Sequence, residues 1–325
     1  MVYIVLVNFN GWQNTIECID GLCKGDSQNF KIILVDNKST NDSVSQLEKY
    51  IGGLNVSSAE YVCKCGFLAN VDSEDNKTIV LLTNDVNNGF AAGCNSAFRY
   101  IRKQNDYKYV WLLGSDSIVE YDSIDKQIAY METHKDVGLC GCISLSYYDK
   151  EKIQCAGLGI YDPILARAHH LGVDLPKEAV CSIDWQEHFD KPTKRYVYGN
   201  SMFFRKSFFD VMGDIPEDYF IYYEELEVMH KLIKENMKYG VATDCKIYHK
   251  EGASTGGTNA EKSYLADYYS VRNRILYTIR YHKLCLPTVY LGLCGAIVNR
   301  IRRKQYDRVW MILKLMINPY PKLNQ

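Results

Sequence analysis

Six largely apolar runs constrain this chain most, because most of them end in a polar side chain. They are "VYIVLVNF" (2–9), "KIILVDN" (31–37), "TIVLLTND" (78–85), "YVWLLGSD" (109–116), "VGLCGCISL" (137–145) and "YGVATDCKIYH" (239–249). Short apolar runs bounded by turn residues read as strands buried on both faces. Helix-compatible stretches lie between several of them, at Gly11–Lys24, Ser39–Leu54, Gly89–Lys103 and Tyr121–His134. Strand and helix in alternation predict a doubly wound α/β sheet with helices on both faces. Ser39 and Asn41 have the side chains of helix N-caps, and Asp42 adds a favourable first-turn charge. The polar segment Asn55–Lys77 reads as a loop or hairpin insertion, and residues 146–200 carry mixed signals.

Length and composition narrow the class. With 325 residues, 47% hydrophobic and 13% aromatic, the chain can bury a large core as one domain with an appendage or as two domains. Its start, "MVYIVLVNFN", enters a strand-like run without a basic n-region, so a cytoplasmic chain is expected. Twelve cysteines are scattered through apolar segments with no Cys-x-x-Cys spacing, which favours reduced, buried thiols over a zinc site. The net charge of −1 hides an asymmetry, because Arg272 to Gln325 holds eleven Lys/Arg and one acid, Asp307. Within that part, "LCLPTVYLGLCGAIV" (284–298) has no charge and is followed by "NRIRRK". Fifteen residues fall short of the roughly 20 that span a bilayer. Two readings stay open: an in-plane membrane contact with Arg300, Arg302, Arg303 and Lys304 against anionic lipid, or a helix packed on the main body with a solvated basic face.

The polar strand ends supply the chemistry. Asn8 and Asn10 follow the first run, Asp36 and Asn37 the second, Asn84 and Asp85 the third, Asp116 the fourth and His249 the last. On a parallel sheet these ends share one edge, where open α/β sheets bind ligands. Asp and Asn side chains can pair with a nucleobase edge. "NNGFAAGCN" (87–95) opens a helix through Gly89 and Gly93, which permit close backbone approach. The crevice suits a nucleotide. A dinucleotide-binding dehydrogenase does not fit, because "GLGIYD" (157–162) lacks the third glycine and does not follow the first strand. No Walker A sequence is present, and "NFNGWQN" lacks the glycine-rich start and lysine of a sugar nucleotidyltransferase. No nucleic-acid partner is expected.

Seven segments in order resemble one family: "VNFNG" (7–11), "VDNKSTNDS" (35–43), "NNGFAAGCNSAF" (87–98), "WLLGSDS" (111–117), "YGNSMFFRK" (198–206), "YFIYYEELE" (219–227) and "IYHKEGAST" (247–255). Together they are similar to the inverting glycosyltransferases of family 2, especially the rhamnosyltransferase-like branch. The resemblance implies a GT-A, Rossmann-like mixed sheet over residues 1–258, with a basic C-terminal helical region over 259–325. It also implies a nucleotide-diphosphate sugar donor, inverting displacement, a bound Mg²⁺ or Mn²⁺, and a saccharide acceptor. A bacterial surface polysaccharide on a lipid carrier at the inner membrane face is the expected setting. By position, Asp36 would contact the base, with Asn8, Asn10, Asn37, Asn88, Gly89, Asn95, Ser115 and Asp116 lining the nucleotide-sugar site. Asp116 would be the retained acid of the metal motif and His249 a further metal ligand. Tyr198, Gly199, Asn200 and Glu224 would border the acceptor. "YYSVRN" (268–273) resembles the region after the catalytic part and has no assigned role.

Two positions depart from the family pattern. Gly114 stands where the family has Asn or Asp, and Glu224-Glu225 where it has Glu-Asp. With fewer protein ligands, the metal would lean on diphosphate oxygens and water, which Mg²⁺ tolerates. Glu225 is the expected general base for the acceptor hydroxyl. The plainer reading of Glu224, Glu225 and Glu227 is a helix start, with Leu226, Met229, Ile233 and Met237 as the apolar stripe. A degenerate protein that binds nucleotide or glycan without turnover is the alternative that both departures motivate.

Overall fold

The computed structural model describes residues 1–27, 29–53, 56–61, 66–71, 77–250, 263–321 and 323. In chain order the first half runs β1 (Val2–Asn8), α1 (Trp12–Cys23), β2 (Phe30–Asp36), α2 (Ser43–Gly53), β3 (Val56–Tyr61), β4 (Gly66–Val71), β5 (Lys77–Thr83), α3 (Phe90–Gln104), β6 (Tyr109–Leu113), β7 (Ser117–Val119), α4 (Ser123–Thr133) and β8 (Val137–Ser146). Then follow β9 (Ile153–Cys155), β10 (Leu158–Asp162), β11 (Arg167–His170), α5 (Trp185–Phe189), β12 (Arg195–Val197), β13 (Ser201–Arg205), α6 (Lys206–Met212), α7 (Glu224–Lys234), β14 (Lys238–His249), α8 (Tyr264–Tyr281), α9 (Leu286–Arg302) and α10 (Tyr306–Ile317).

The main sheet has the order β3-β4-β5-β2-β1-β6-β13-β8-β14-β7, with β9 added beside β8. Strands β5, β2, β1 and β6 pair in parallel. β13 runs antiparallel to both β6 and β8, and β14 is parallel to β8. The carboxyl ends of β1, β2, β5, β6 and β14 therefore share one edge, as the polar run ends predicted. The mixed sheet arises because β13 enters backwards between β6 and β8.

Alternate residues of each central strand enter opposite cores, which is why these strands read as continuous apolar runs. Tyr3, Val5, Ile33, Val35, Val110 and Leu112 face α3, α6 and α7, where Cys94, Phe98, Phe208 and Leu232 pack. Ile4, Leu6, Ile32, Leu34, Trp111 and Leu113 face α1, α2 and α4 through Cys18, Ile19, Leu47, Ile51, Ile124 and Met131. A separate core joins Phe220 to α8, α9 and α10. Residues 158–197 contribute a second, three-stranded sheet, β11-β10-β12.

Two local readings are revised. α2 begins at Ser43 rather than Ser39: Asn41 Oδ1 accepts from Ser43 N at 3.0 Å, while Ser39 is drawn to Asp36. The fifteen-residue apolar run lies in a longer helical stretch, Lys283–Arg302, of 20 residues. By length and composition that stretch could cross a membrane. The expected hairpin insertion appears as the antiparallel pair β3–β4 extending the sheet. The expected domain boundary at 258/259 lies outside the described residues.

Candidate active site

The shared edge opens with the ends of β1 and β2. Asn8 and Asp36 are opposite each other in register, and Asn8 Nδ2 donates to Asp36 Oδ2 at 2.7 Å. Ser39 donates to the same carboxylate twice, from its amide (2.8 Å) and its hydroxyl (2.6 Å). Asp36 is thus buried, and its bonds hold the 37–41 loop. Asn10, in a left-handed conformation at φ 56°, fastens the loop's far side by accepting from Thr40 N at 2.8 Å. Asn37 is also buried and donates to Gly89 O at 2.9 Å, tying β2 to the start of α3. Asn88 beside it is exposed. A Cβ on Gly93 would meet Val7 Cγ1 at 2.7 Å, so glycine lets α3 lie against β1. Asn95 sits apart from this edge: fully buried, it exchanges hydrogen bonds with Ile215 N and O, each at 2.8 Å.

The next corner is built on Asp116. Ser115 Oγ donates to Val7 O at 2.8 Å, fixing the loop after β6 against β1. Asp116 is largely buried, and its Oδ1 lies 3.2 Å from His249 Nε2. His249 Nδ1 lies 2.8 Å from Gln154 Oε1. With that carbonyl oxygen as acceptor, Nδ1 carries the hydrogen, and Nε2 turns its lone pair to the carboxylate unless a proton or cation stands between them. This oxygen and imidazole pair fits Mg²⁺ or Mn²⁺ by donor chemistry. Among the described residues no group of three His, Cys, Asp or Glu side chains could hold a metal. Asp116 and His249 would thus share an ion with phosphate oxygens rather than enclose it.

The space left by the missing side chain at Gly114 is taken up by Asn200. A Cβ there would lie 1.8 Å from Asn200 Oδ1 and 3.1 Å from Asp116 Oδ1. Asn200, expected at the acceptor, points its amide into this space and donates to Ser117 Oγ at 2.9 Å. A polar oxygen therefore stands beside Asp116 after all, delivered from the residue before β13.

Glu225 closes the other side. Phe220, Tyr222 and Tyr223 all have left-handed backbones (φ 71°, 71° and 80°), and this turn leads into α7. The three acids of that first turn have different surroundings. Glu227 is buried and accepts from Tyr219 and Tyr281 hydroxyls at 2.6 Å and from Arg280 at 2.9 Å, so it is a structural anchor. Glu224 is buried with Oε1 lacking a partner, and burial pushes its carboxyl up to about 8, with the Glu225 charge adding to the push. Glu225 is partly exposed, and desolvation raises its carboxyl above the ordinary range. A Cβ on Gly199 would lie 3.7 Å from Glu225 Oε2.

The tripeptide Tyr198-Gly199-Asn200 therefore joins the two sides. Tyr198 OH lies 3.4 Å from His249 Nδ1, Gly199 adjoins Glu225, and Asn200 adjoins Gly114 and Asp116. Profile comparison matches residues 3–209, most of the chain, to Glycosyl transferase family 2. The chain belongs to that family. It is a glycosyltransferase. A relative from Haloferax volcanii, the low-salt glycan biosynthesis hexosyltransferase Agl10, is 26% identical over 79% of this chain and 78% of its own length. Two solved structures share the fold. The mannosyltransferase PcManGT from Pyrobaculum calidifontis, in complex with GDP-Man and Mn²⁺, has a TM-score of 0.52 at 12% identity, covering 98% of this chain and 85% of that one. S. aureus TarS 1-349, in complex with UDP-GlcNAc, has a TM-score of 0.54 at 12% identity, covering 98% and 81%. None of these matches singles out the rhamnosyltransferase-like branch.

Three contributors to the site carried no signal of this role in sequence. Gln154 lies in the mixed region, and Ser39 had the marks of a helix cap. Asn273 sits in the unassigned "YYSVRN", where its Nδ2 reaches Tyr219 O, Ile221 O and Tyr222 O at 3.0, 2.7 and 3.2 Å. It holds the left-handed turn from behind.

Proposed function

We propose that this chain is an inverting transferase that moves a hexosyl or deoxyhexosyl group from a nucleotide-diphosphate sugar to a hydroxyl of a saccharide acceptor. Glu225 takes the proton of that hydroxyl as its oxygen attacks the anomeric carbon. The carbon's bond to the diphosphate breaks on the opposite face, so the configuration inverts. A base acts best with a pKa near the working pH, and burial moves Glu225 in that direction. A divalent ion held by Asp116 and His249 would offset the charge on the departing diphosphate. Asn8, Asp36, Asn37 and Gly89 form the frame against which the nucleotide lies.

The carrying observation is the Tyr198-Gly199-Asn200 bridge, which sets a raised-pKa carboxylate and an Asp–His pair on one short stretch of backbone. The ordered motif set supports the rhamnosyltransferase-like branch, and the glycan-biosynthesis relative supports a saccharide acceptor. A lipid-linked acceptor in surface polysaccharide assembly, met at the cytoplasmic face of a membrane, completes the reading. It draws on the basic C-terminal part and the family resemblance.

The test offers UDP-, GDP- and dTDP-sugars with Mn²⁺ and an acceptor panel, and follows nucleoside diphosphate release. Release that falls by about 10²–10⁴-fold in Glu225→Gln, and also falls in Asp116→Ala, is the expected result. Turnover that survives both changes overturns the assignment. Tight donor binding without release by the unaltered chain would favour the non-turnover alternative.

A further inference from the structure

The C-terminal helices leave a large apolar surface uncovered. α9 and α10 form an antiparallel hairpin, with Arg300 Nη1 bonded to Gln305 at one end and Tyr290 OH to Met316 O at the other. Exposed residues recur with the same spacing on both helices: Pro287, Leu291, Cys294 and Val298 on α9, and Tyr306, Trp310, Leu313 and Ile317 on α10. At about 100° per residue each set falls within roughly a 60° stripe. Val289 and Leu293, like Met311, Ile312 and Leu315, lie on the opposite faces and are buried in the protein. Each helix thus has a complete inward face and a second apolar face that none of the described residues covers. Leu291 is 73% exposed, Trp310 64% and Ile317 86%, exposures unusual for such large side chains.

The surroundings select the occupant. Arg300 and Arg308 are both bound to Asp267, at 2.8 and 3.0 Å, and are committed to holding the hairpin on α8. Arg302, Arg303 and Lys304, at the hairpin turn, are exposed and have no carboxylate partner among the described residues. Cations beside an apolar stripe with Trp and Tyr are the complement of an anionic bilayer surface, with its charged headgroups over an apolar interior. The patch also reaches the catalytic side. Exposed Ile164 and Leu165 sit on a turn where Ile164 O accepts from Thr288 of α9, while Ala166 O accepts from Tyr223 OH at 3.5 Å, two residues before Glu225.

We propose that the outer face of the α9–α10 hairpin, continued by Ile164 and Leu165, docks the protein in the plane of an anionic membrane and turns the Glu225 side of the cleft toward it. The helix lies in the plane rather than spanning because its inward face is fixed to α8 and α10. This inference stands on the surface alone and does not require Glu225 to be the base.

The test uses the full chain with phosphatidylcholine vesicles and with vesicles that also contain phosphatidylglycerol, read by co-sedimentation. Binding is expected to need phosphatidylglycerol. It should weaken roughly 100-fold in Arg302→Gln/Arg303→Gln/Lys304→Gln. It should vanish in Leu291→Ser/Trp310→Ser/Ile317→Ser, with nucleoside diphosphate release to a soluble acceptor unchanged in both variants. No vesicle binding, or binding unaffected by both sets of changes, overturns the proposal. So does a dimer in solution that the apolar variant abolishes while the unaltered chain ignores vesicles. Bound protein released only by detergent, and not by high salt or alkali, would replace in-plane docking with a spanning helix.

Discussion

Removing the Asn273 side chain should disable Glu225, the proposed base, without touching it. Three left-handed residues, Phe220, Tyr222 and Tyr223, each cost about 1–2 kcal/mol, so the turn stores roughly 3–6 kcal/mol. Asn273 opposes that strain with the two hydrogens of its amide, shared among three carbonyls of the turn, and at about 1 kcal/mol net for each hydrogen it offsets about 2 kcal/mol of that cost. Arg272, bonded to Asp218 O at 2.8 Å, supplies more. In Asn273→Ala the turn relaxes and α7 starts from a shifted position. A displacement of Glu225 by about 1 Å lowers kcat on the order of 100-fold. The donor KM should stay within about 3-fold, because the proposed nucleotide frame of Asn8, Asp36 and Asn37 is built at the ends of other strands. Asn273→Asp should be worse than Ala, since a carboxylate would face three carbonyl oxygens with no hydrogen to donate. The assay is steady-state diphosphate release alongside thermal unfolding. In the double variant Asn273→Ala/Tyr222→Gly, glycine removes part of the left-handed cost and stability should partly return. An Asn273→Ala protein that loses stability yet keeps kcat within about 3-fold would refute the idea that this turn positions the base.

Other expectations test the same architecture. Gly114→Ala should cost about 1–3 kcal/mol by overpacking against Asn200, and Gly114→Ala/Asn200→Ala should recover part of it, as read by denaturant unfolding. Gly89→Ala should be still more damaging, because Gly89 has φ 102° and a Cβ there would meet Phe220 O at 2.1 Å, forcing apart the nucleotide side and the turn before Glu225. Glu224 titrates near 8 when folded and near 4.5 when unfolded, so the folded state holds the extra proton and stability falls as pH rises between those values. Glu224→Gln should flatten that decline, worth on the order of 5 kcal/mol at full extent, in melting curves taken from pH 4 to 9. Gln154→Leu should weaken Mn²⁺ binding in the presence of donor by about 10–100-fold, measured by calorimetry, because His249 loses the partner that orients it.

The strand runs and their polar ends were legible because a strand buried on both faces must be apolar almost throughout, so a sudden Asn or Asp marks the place where chain leaves the core. That Asn8, Asp36, Asp116 and His249 share one edge followed from that rule, and the meeting of Asp116 with His249 from the family motifs. What stayed hidden depended on contacts between residues distant in sequence. Nothing in "KIQCAG" marks Gln154 as the orienting partner of a histidine 95 positions away. Asn273 lay in a quoted motif, yet its task is set by backbone conformations at 220–223 that Phe and Tyr seldom adopt, and no propensity argument forecasts them. Ser39 misled for a related reason. A serine hydroxyl caps a helix and bonds a carboxylate equally well, and the buried Asp36 outcompeted the amides of α2.

The two departures from the family pattern touch adjacent residues of one stretch of backbone, Gly199 and Asn200. Gly114 taken alone looks like decay of a metal motif. With Asn200 in view it is the space that lets that amide lie here, since a Cβ at 114 would stand 1.8 Å from Asn200 Oδ1 and displace it. A polar atom is supplied here by the residue before β13, and the motive for a non-catalytic reading weakens at that position. The longer Glu225 lies against Gly199, the residue directly before Asn200, so a change at either end shifts the other through the start of β13. If the pair is coupled in this way, Glu225→Asp should lose less activity when it is combined with Gly114→Asn and Asn200→Gly than when it is made alone. Equal losses in the single and the combined variants would mean that the two corners of the cleft vary independently.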